Sequence, residues 1–304
     1  MHDLIIIGGG PAGLTAALYA LRADKSALIL EAGGFGGQIT HSPKIENYPG
    51  FELISGNEVA DKMVSQVLIQ GADVELTRAT GIEKTDAGFT VHTEDGGFEG
   101  KTVVIATGAK HRQLGIEGEN ELVGEGISYC AVCDGAFCKG QRVAVIGGGN
   151  SALQEAVLLS EGCSHVTVVQ NLAYLTGEER LASQLRKKDN VSFIFSNVVE
   201  GFETAAGALT GVKLKNTESG EASVLEVDSV FVAIGLAPEN GDFADIAALD
   251  NYGYVSSDES CLTSTPGVFT AGDCRTKSVR QIATAVADGA TAGLAACRYI
   301  DSLN

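Results

Sequence analysis

Positive charge is in short supply in this chain. Against 39 aspartates and glutamates stand 21 lysines and arginines, a formal charge of −18. That balance argues against a nucleic-acid partner and against an anionic membrane surface. It weighs mildly against a strongly acidic protein partner too, unless a local basic patch forms where Arg180, Arg186, Lys187 and Lys188 cluster. Proline is scarce too, at 5 residues, and with 44% apolar residues this describes a folded chain and excludes a disordered one. The 39 glycines follow no fixed period. A fibrous design is therefore excluded, and they mark turns and close backbone approaches. The longest uncharged run, Leu4 to Leu21, is interrupted by glycines and by Pro11, and Met1-His2-Asp3 puts no basic segment ahead of it. Neither a signal peptide nor a membrane-spanning helix is expected, and a cytoplasmic location follows by default. At 304 residues the chain has room for two domains, each with its own core.

Of 7 cysteines, only Cys130 and Cys133 have Cys-x-x-Cys spacing, with Asp134 directly behind. Cys138, Cys163, Cys261, Cys274 and Cys297 are scattered. The pair has three readings: a redox disulfide, half of a zinc site, or two core thiols. Structural zinc wants four ligands and usually a second such pair or two histidines, so the redox reading leads. Two intervening residues let the sulfurs close a small ring, and a helix starting there would lower the thiol pKa. In a cytoplasmic protein such a pair is more often catalytic than structural. Asp134 is the nearest titratable side chain that could manage the proton. Tyr129 reads as packing, and His111 and His165, beside strands and without a partner motif, read as surface or core residues.

A dinucleotide pattern opens the chain. Residues 3–7 read as a buried strand, Gly8-Gly9-Gly10-Pro11-Ala12-Gly13 as a G-x-G-x-x-G turn, and the stretch to Ala23 as a helix. Ala27–Leu30 is a second strand, ending on Glu31. The first glycine permits the tight turn, the second admits a pyrophosphate, the third lets helix and strand pack, and the acid binds a ribose hydroxyl pair. Ser55 with Glu58 predicts a capping box and a helix to about Gln70. Residues 73–99 read as short strands with a hairpin at Asp95-Gly96-Gly97, and Lys101–Ala106 as another buried strand. The pattern then repeats: strand Arg142–Ile146, turn Gly147-Gly148-Gly149-Asn150-Ser151-Ala152, helix Ser151–Glu161, strand His165–Val169. Two such units imply two dinucleotide sites, or one site and one remnant. The second strand ends Val169-Gln170-Asn171, without acid or arginine. A helix near Glu178–Lys188, strands over 191–233, a short strand running into Gly272-Asp273 and a helix from about Gln281 to Tyr299 complete the pattern.

In this order the motifs resemble the low-molecular-weight thioredoxin reductases, flavoprotein disulfide reductases with two dinucleotide-binding domains, over nearly the whole chain. The resemblance is carried by Gly8–Gly13 with Glu31, Gly36-Gly37-Gln38, Asn47 to Gly50, Ala106-Thr107-Gly108, Cys130–Asp134, Gly147–Ala152, Ala233-Ile234-Gly235, Gly272-Asp273 and Arg280-Gln281. It implies an α/β fold of two Rossmann-like, three-layer ββα domains, the second inserted in the first. Residues 1–114 and 245–304 would bind FAD, and residues 115–244 would form a nicotinamide-type domain carrying the cysteines. FAD would contact Gly8, Gly10, Gly13, Glu31, Gln38, Asn47, Thr107, Gly108, Gly272, Asp273, Arg280 and Gln281. Gly147, Gly149 and Ala152 would hold the second dinucleotide. Cys133 would face the flavin, Cys130 would attack the substrate disulfide of thioredoxin or a thioredoxin-like protein, and Asp134 would act as acid and base. The resemblance also implies a homodimer and a swing of one domain against the other.

One departure bears on the electron donor. NADPH-dependent members carry a His-Arg-Arg start and a further arginine after the second strand of the inserted domain, gripping the 2′-phosphate. Here those positions are Gln170, Asn171, Leu172 and Thr176, which disfavours NADPH. Three donor readings stay open: weak or NADH-preferring nicotinamide use, a carrier such as ferredoxin, a deazaflavin or another flavin, and, least favoured, NADPH itself. Two further functions also stay open, a dithiol oxidase passing electrons to oxygen and a non-enzymatic flavin-bearing redox sensor.

Overall fold

The computed structural model describes residues 1–42 and 45–303. The chain divides into two compact units, Met1–Lys110 with Ala237–Asn304, and His111–Leu236.

The first unit starts with β1 (His2–Ile7), α1 (Pro11–Arg22), β2 (Ala27–Glu31), α2 (Gly56–Ile69), β3 (Asp73–Leu76), β4 (Ala79–Thr85), β5 (Gly88–Thr93) and β6 (Gly96–Ile105). β1 and β2 are apolar on both faces because both are covered. Leu4, Ile6 and Ile29 pack with the alanines of α1, while Ile5, Ile7, Leu28 and Leu30 pack with Phe89 and Val91 of β5. The capping box of α2 is reciprocal: the Glu58 N–H donates to Ser55 Oγ at 3.2 Å, and the Ser55 N–H donates to Glu58 Oε2 at 3.0 Å. β6 is longer than the strand expected over Lys101–Ala106 because its two halves have different partners. Gly96–Gly100 pairs antiparallel with β5, and Thr102–Ile105 pairs parallel with β1.

The second unit is entered through β7 (Lys110–His111) and continues with α3 (Glu119–Leu122), β8 (Ile127–Ser128), α4 (Ala131–Asp134), β9 (Arg142–Ile146), α5 (Asn150–Leu159), β10 (His165–Val169) and α6 (Glu179–Leu185). Then come β11 (Val191–Ile194), β12 (Asn197–Ala205), β13 (Ala208–Asn216), β14 (Ala222–Glu226), β15 (Ser229–Val232) and β16 (Leu236–Ala237). Its parallel sheet runs β11-β10-β9-β15-β8, and β12-β13-β14 form a separate antiparallel sheet. α6 is shorter than the expected 178–188. Beyond Leu185 the basic residues pair outward, Arg186 with Glu179 at 2.5 Å and Lys188 with Glu161, so the basic cluster is partly neutralised.

The returning segment adds β17 (Val268–Thr270) and α7 (Ile282–Ser302) to the first unit. β17 pairs parallel with β6, giving a seven-stranded sheet among the described residues. α7 lies so close to α1 that a Cβ on Gly289 would stand 2.2 Å from the carbonyl oxygen of Ala12. Both glycine-rich turns therefore leave the carboxyl ends of parallel strands, where open α/β sheets place their ligands.

Candidate active site

In the first unit the Gly8–Gly13 turn links β1 to α1. Gly8 has φ +112°, and a Cβ on Gly13 would lie 1.9 Å from the Gly8 carbonyl oxygen, so the turn closes only on glycine. α1 begins at Pro11 after Gly10, with no side-chain cap on its first N–H groups. Those donors and the helix dipole suit a pyrophosphate. The Glu31 carboxylate accepts the N–H of Gly9 at 2.7 Å and of Gly33 at 2.8 Å, which fixes it beside the turn.

Around this turn the fold collects most of the predicted contacts. Gly36 N–H donates to Gly9 O at 2.9 Å, bringing in the segment that carries Gln38. A Cβ on Gly8 would meet the Ala106 carbonyl at 2.3 Å and the Thr107 nitrogen at 3.2 Å, and one on Gly272 would meet Ala12 at 2.8 Å. Gly108 follows with φ +71°. Asn47 Nδ2 donates to Gln281 Oε1 at 3.1 Å. Arg280 donates to the carbonyls of Asp273, Lys277 and Arg275 and lies 4.3 Å over the Tyr254 ring. The Thr107 hydroxyl is already taken by Asn240 Oδ1 at 2.7 Å.

Asp273 is the polar group that asks for a ligand. Burial pushes its carboxyl up, and Oδ1 has no hydrogen-bond partner among the described residues. A buried acceptor in that state is costly unless something donates to it. A sugar-alcohol hydroxyl, such as the ribityl chain of a flavin provides, fits it. The residues present thus fit FAD.

Sequence reasoning missed what lies beneath this turn. Asp288 of α7 accepts the Gly272 N–H at 3.0 Å, Arg275 Nε at 2.9 Å and Lys277 Nζ at 2.8 Å. Asn240, 1% exposed, ties Thr107 to the carbonyls of Gly253 and Cys274. An acid within an alanine-rich helix was the only visible signal for Asp288.

In the second unit Cys130 and Cys133 are joined by a disulfide, with Cα atoms 5.3 Å apart. β8 sets its place by pairing parallel with β15, Ile127 with Val230 and Ser128 with Phe231. Cys130 then turns extended at φ −150° and begins α4, its Sγ accepting the Cys133 N–H at 3.2 Å. The Ser128 hydroxyl donates to Asp134 Oδ2 at 2.6 Å and accepts the Cys130 N–H at 3.1 Å. Burial drives the Asp134 carboxyl up, the Ser128 bond draws it back, and burial prevails. Tyr129 does more than pack. Its hydroxyl donates to Glu119 Oε1 at 2.8 Å, and Glu119, 2% exposed, also accepts the N–H groups of Leu114 and Gly115. Burial and then Glu119 raise the Tyr129 hydroxyl pKa, and burial lowers that of His111, whose ring lies 5.4 Å from Tyr129. His165 bonds Ser192 Oγ at 2.9 Å.

The second glycine turn repeats the first in packing but not in polarity. Gly147, φ +134°, would press a Cβ to 2.4 Å from Ala233 O, as Gly8 does against Ala106. Gly149 precedes α5, and Ala152 is wholly buried. Where Glu31 stands in the first unit, Gln170 stands here, 5% exposed. It is so close to the turn that a Cβ on Gly148 would meet its Nε2 at 2.5 Å. Its Oε1 accepts the Asn171 N–H at 3.1 Å and its Nε2 donates to Tyr174 O at 3.3 Å. The N–H groups of Thr176 and Gly177 both donate to Gly148 O.

Two sheets whose parallel strands carry glycine turns, and a disulfide backed by a carboxyl, define a disulfide oxidoreductase of the dinucleotide-binding kind. The family described as pyridine nucleotide-disulphide oxidoreductase matches residues 2–289, and the chain belongs to it. Among curated relatives, the thioredoxin reductase of Listeria monocytogenes is 42% identical over 303 residues, covering 100% of this chain and 95% of the relative. The thioredoxin reductase of Treponema pallidum is 40% identical, covering 99% and 98%. The crystal structure of thioredoxin reductase from Streptococcus pyogenes superposes with a TM-score of 0.94 at 41% identity, covering 99% of each chain. The fold expected from the sequence, α/β with Rossmann-like parallel sheets, agrees with these structures. The chain is an oxidoreductase enzyme of the flavoprotein disulfide class, which removes the non-enzymatic sensor from consideration.

Proposed function

We propose that this enzyme passes electrons from FAD, held by the first unit, to the Cys130–Cys133 disulfide of the second, and on to thioredoxin or a thioredoxin-like protein. The first unit, 1–110 with 237–304, would be the FAD domain, and 111–236 the nicotinamide-type domain, in place of boundaries at 114 and 245. Gly8, Gly10, Gly13 and the α1 N–H groups would take the pyrophosphate, Glu31 the ribose, and Asp273 the ribityl chain. Gln38, Asn47, Thr107, Gly108, Gly272, Arg280 and Gln281 would complete the contact surface. Bound FAD would supply a two-electron reductant. Cys133 would take the electrons, and Cys130 would attack the substrate disulfide. Asp134 would accept the Cys130 proton and return it to the leaving sulfur. Val132, between the two cysteines in sequence, is 55% exposed, an apolar side chain suited to contact with a protein substrate.

The observation that carries the reading is a disulfide with a hydrogen-bonded carboxyl directly behind it, in a chain 42% identical to a thioredoxin reductase. For the donor, Gly147, Gly149 and Ala152 keep the shape of a dinucleotide turn. The ribose position is nevertheless filled by a neutral amide engaged at both ends, and no arginine stands at Asn171, Leu172 or Thr176. We therefore assign weak or absent use of NADPH, leaving NADH or a non-nicotinamide carrier such as ferredoxin. The same lack of donor contacts suits the dithiol oxidase, which rapid reoxidation by air with release of peroxide would distinguish. A cytoplasmic homodimer belongs to the same proposal; no helix among the described residues is long and apolar enough to cross a membrane. The test is anaerobic: the flavin-loaded protein is mixed separately with NADPH, NADH and reduced ferredoxin, with and without oxidised thioredoxin. Fast bleaching of the flavin by NADPH would overturn the donor assignment. Failure of every reduced form to pass electrons to thioredoxin would overturn the function.

A further inference from the structure

Building on Asp134 as the proton carrier of the cysteine pair, we propose that Ser128 is a positioning residue for disulfide interchange. Its hydroxyl fastens the Asp134 carboxylate to the backbone of Cys130 and sets the pH at which that carboxylate can take the Cys130 proton.

A serine hydroxyl has one proton to give and two lone pairs to offer. Here the Cys130 N–H, 3.1 Å away, occupies a lone pair. The proton can go to Asp134 Oδ2 at 2.6 Å or to the Cys130 carbonyl at 3.5 Å, and the short contact to the carboxylate wins. The direction of donation is thereby fixed: Ser128 donates and Asp134 accepts. A hydroxyl donating to a carboxylate favours the ionised form, opposing the burial that favours the neutral acid. Ser128 is itself held by the β8–β15 pairing, Ser128 against Phe231, beside the fully buried Ile127. One rigid strand end thus holds both the nucleophile's backbone and the base's oxygen, the supporting contact that an acid–base pair needs to keep its geometry.

The other titratable groups on neighbouring elements do not perform this task. Cys138, which follows α4, is a buried thiol raised by burial and by Asp134 itself. α5, packed against α4, brings Glu155, a half-buried acid with one carboxyl oxygen enclosed. Lys139 is exposed. On the β8 side Tyr129 is committed to Glu119.

The step is a proton transfer coupled to thiol–disulfide exchange. The Cys130 thiol gives its proton to Asp134, and its sulfur forms a bond to one sulfur of the target while the target S–S bond breaks. The departing target sulfur takes the proton from Asp134. The Cys133 thiol then attacks the Cys130 sulfur, its proton going to the second target sulfur as the Cys130–target bond breaks, so the target is reduced by two electrons to a dithiol and the Cys130–Cys133 bond re-forms.

The test uses the flavin-loaded protein, reduced anaerobically and freed of reductant, mixed with 5,5′-dithiobis(2-nitrobenzoate). This disulfide needs no docking surface, and its leaving thiolate needs no proton, so the rate isolates the base. Ser128→Ala, Ser128→Thr and Asp134→Asn are compared with the parent across pH, with circular dichroism as the check on folding. In Ser128→Ala the rise of rate with pH should move upward by about one pH unit, and Ser128→Thr should return it. A purely structural role would lower the rate equally at every pH. An unmoved profile in Ser128→Ala, alongside an Asp134→Asn profile that keeps only the later rise given by ionisation of the Cys130 thiol itself, overturns the role of Ser128 and leaves that of Asp134 standing. An Asp134→Asn profile that rises as early as the parent's overturns the reading of Asp134, and the proposal with it.

Discussion

Removing Asp288 should unfasten the first unit from beneath its cofactor turn. Its carboxylate accepts from Gly272 N, from Arg275 Nε and Nη2, and from Lys277 Nζ, all between 2.8 and 3.0 Å. The Arg275 side chain is 1% exposed and that of Lys277 is 4% exposed, so Asp288→Ala strands two buried cations. Glu259 still touches Arg275 at 2.8 Å, but at 87% exposure it is solvated and compensates little. Breaking a buried pair by deleting one partner costs about 3–5 kcal/mol. For a unit of this size that lowers the melting temperature by roughly 6–20 °C. Burial pushes the Asp288 carboxyl up, and hydrogen bonds from Arg275 and Lys277 more than reverse this, so it lies below its ordinary value. A carboxyl depressed in the folded state stabilises above its unfolded pKa, and that stability is lost as pH falls through the folded value. The gap between parent and variant should therefore be full at pH 7 and should close in strong acid. The assay is thermal unfolding followed by circular dichroism, with flavin fluorescence reporting cofactor release. A variant melting within about 2 °C of the parent at pH 7 would refute the reasoning, since that corresponds to no more than about 1 kcal/mol.

Two further predictions follow from the second unit. Asn171→Arg, Leu172→Arg and Thr176→Arg together should speed flavin reduction by NADPH at least about tenfold, one new charge-assisted contact being enough for that. Unchanged NADPH kinetics would mean that the loop folded over Gly148 closes the turn by itself. Glu155, with one carboxyl oxygen buried and without a hydrogen-bond partner among the described residues, is pushed by burial up to about 8. Its stabilising effect is complete below the ordinary carboxylate range and is lost as pH rises through about 8. Glu155→Gln should therefore be more stable than the parent in alkali, by on the order of a few kcal/mol, and so melt above it there, and should match it in acid. Equal melting of the two at every pH would contradict that burial.

The local patterns that one stretch of chain can satisfy were legible in the sequence. The Ser55–Glu58 box, the start of α1 at Pro11 and the β1–turn–α1–β2 unit each depend on neighbours within a few residues, and each formed. β6 was read as two pieces because nothing local says that a strand will change partners halfway. The site divides in the same way. Glycine turns and the cysteine spacing announce themselves, whereas Asn240 and Asp288 act through bonds that the fold brings together across the chain, and Ser128 and Glu119 through nearby bonds that follow no cap or turn pattern. Tyr129 read as packing because its hydroxyl partner lies ten residues upstream, in a helix of a single turn. The neutral Gln170 was visible at once. That its amide would fold onto Gly148 and spend both ends on its own loop needed coordinates.

Everything turns on a flavin and the Cys130–Cys133 bond exchanging electrons within one protein. Anaerobic titration of the flavin-loaded protein with dithionite counts them directly. The parent should consume two electron pairs per flavin, one for the ring and one for the disulfide, and Cys133→Ser should stay yellow and consume one. A parent saturated by a single pair, or a Cys133→Ser protein that still takes two, would contradict the account.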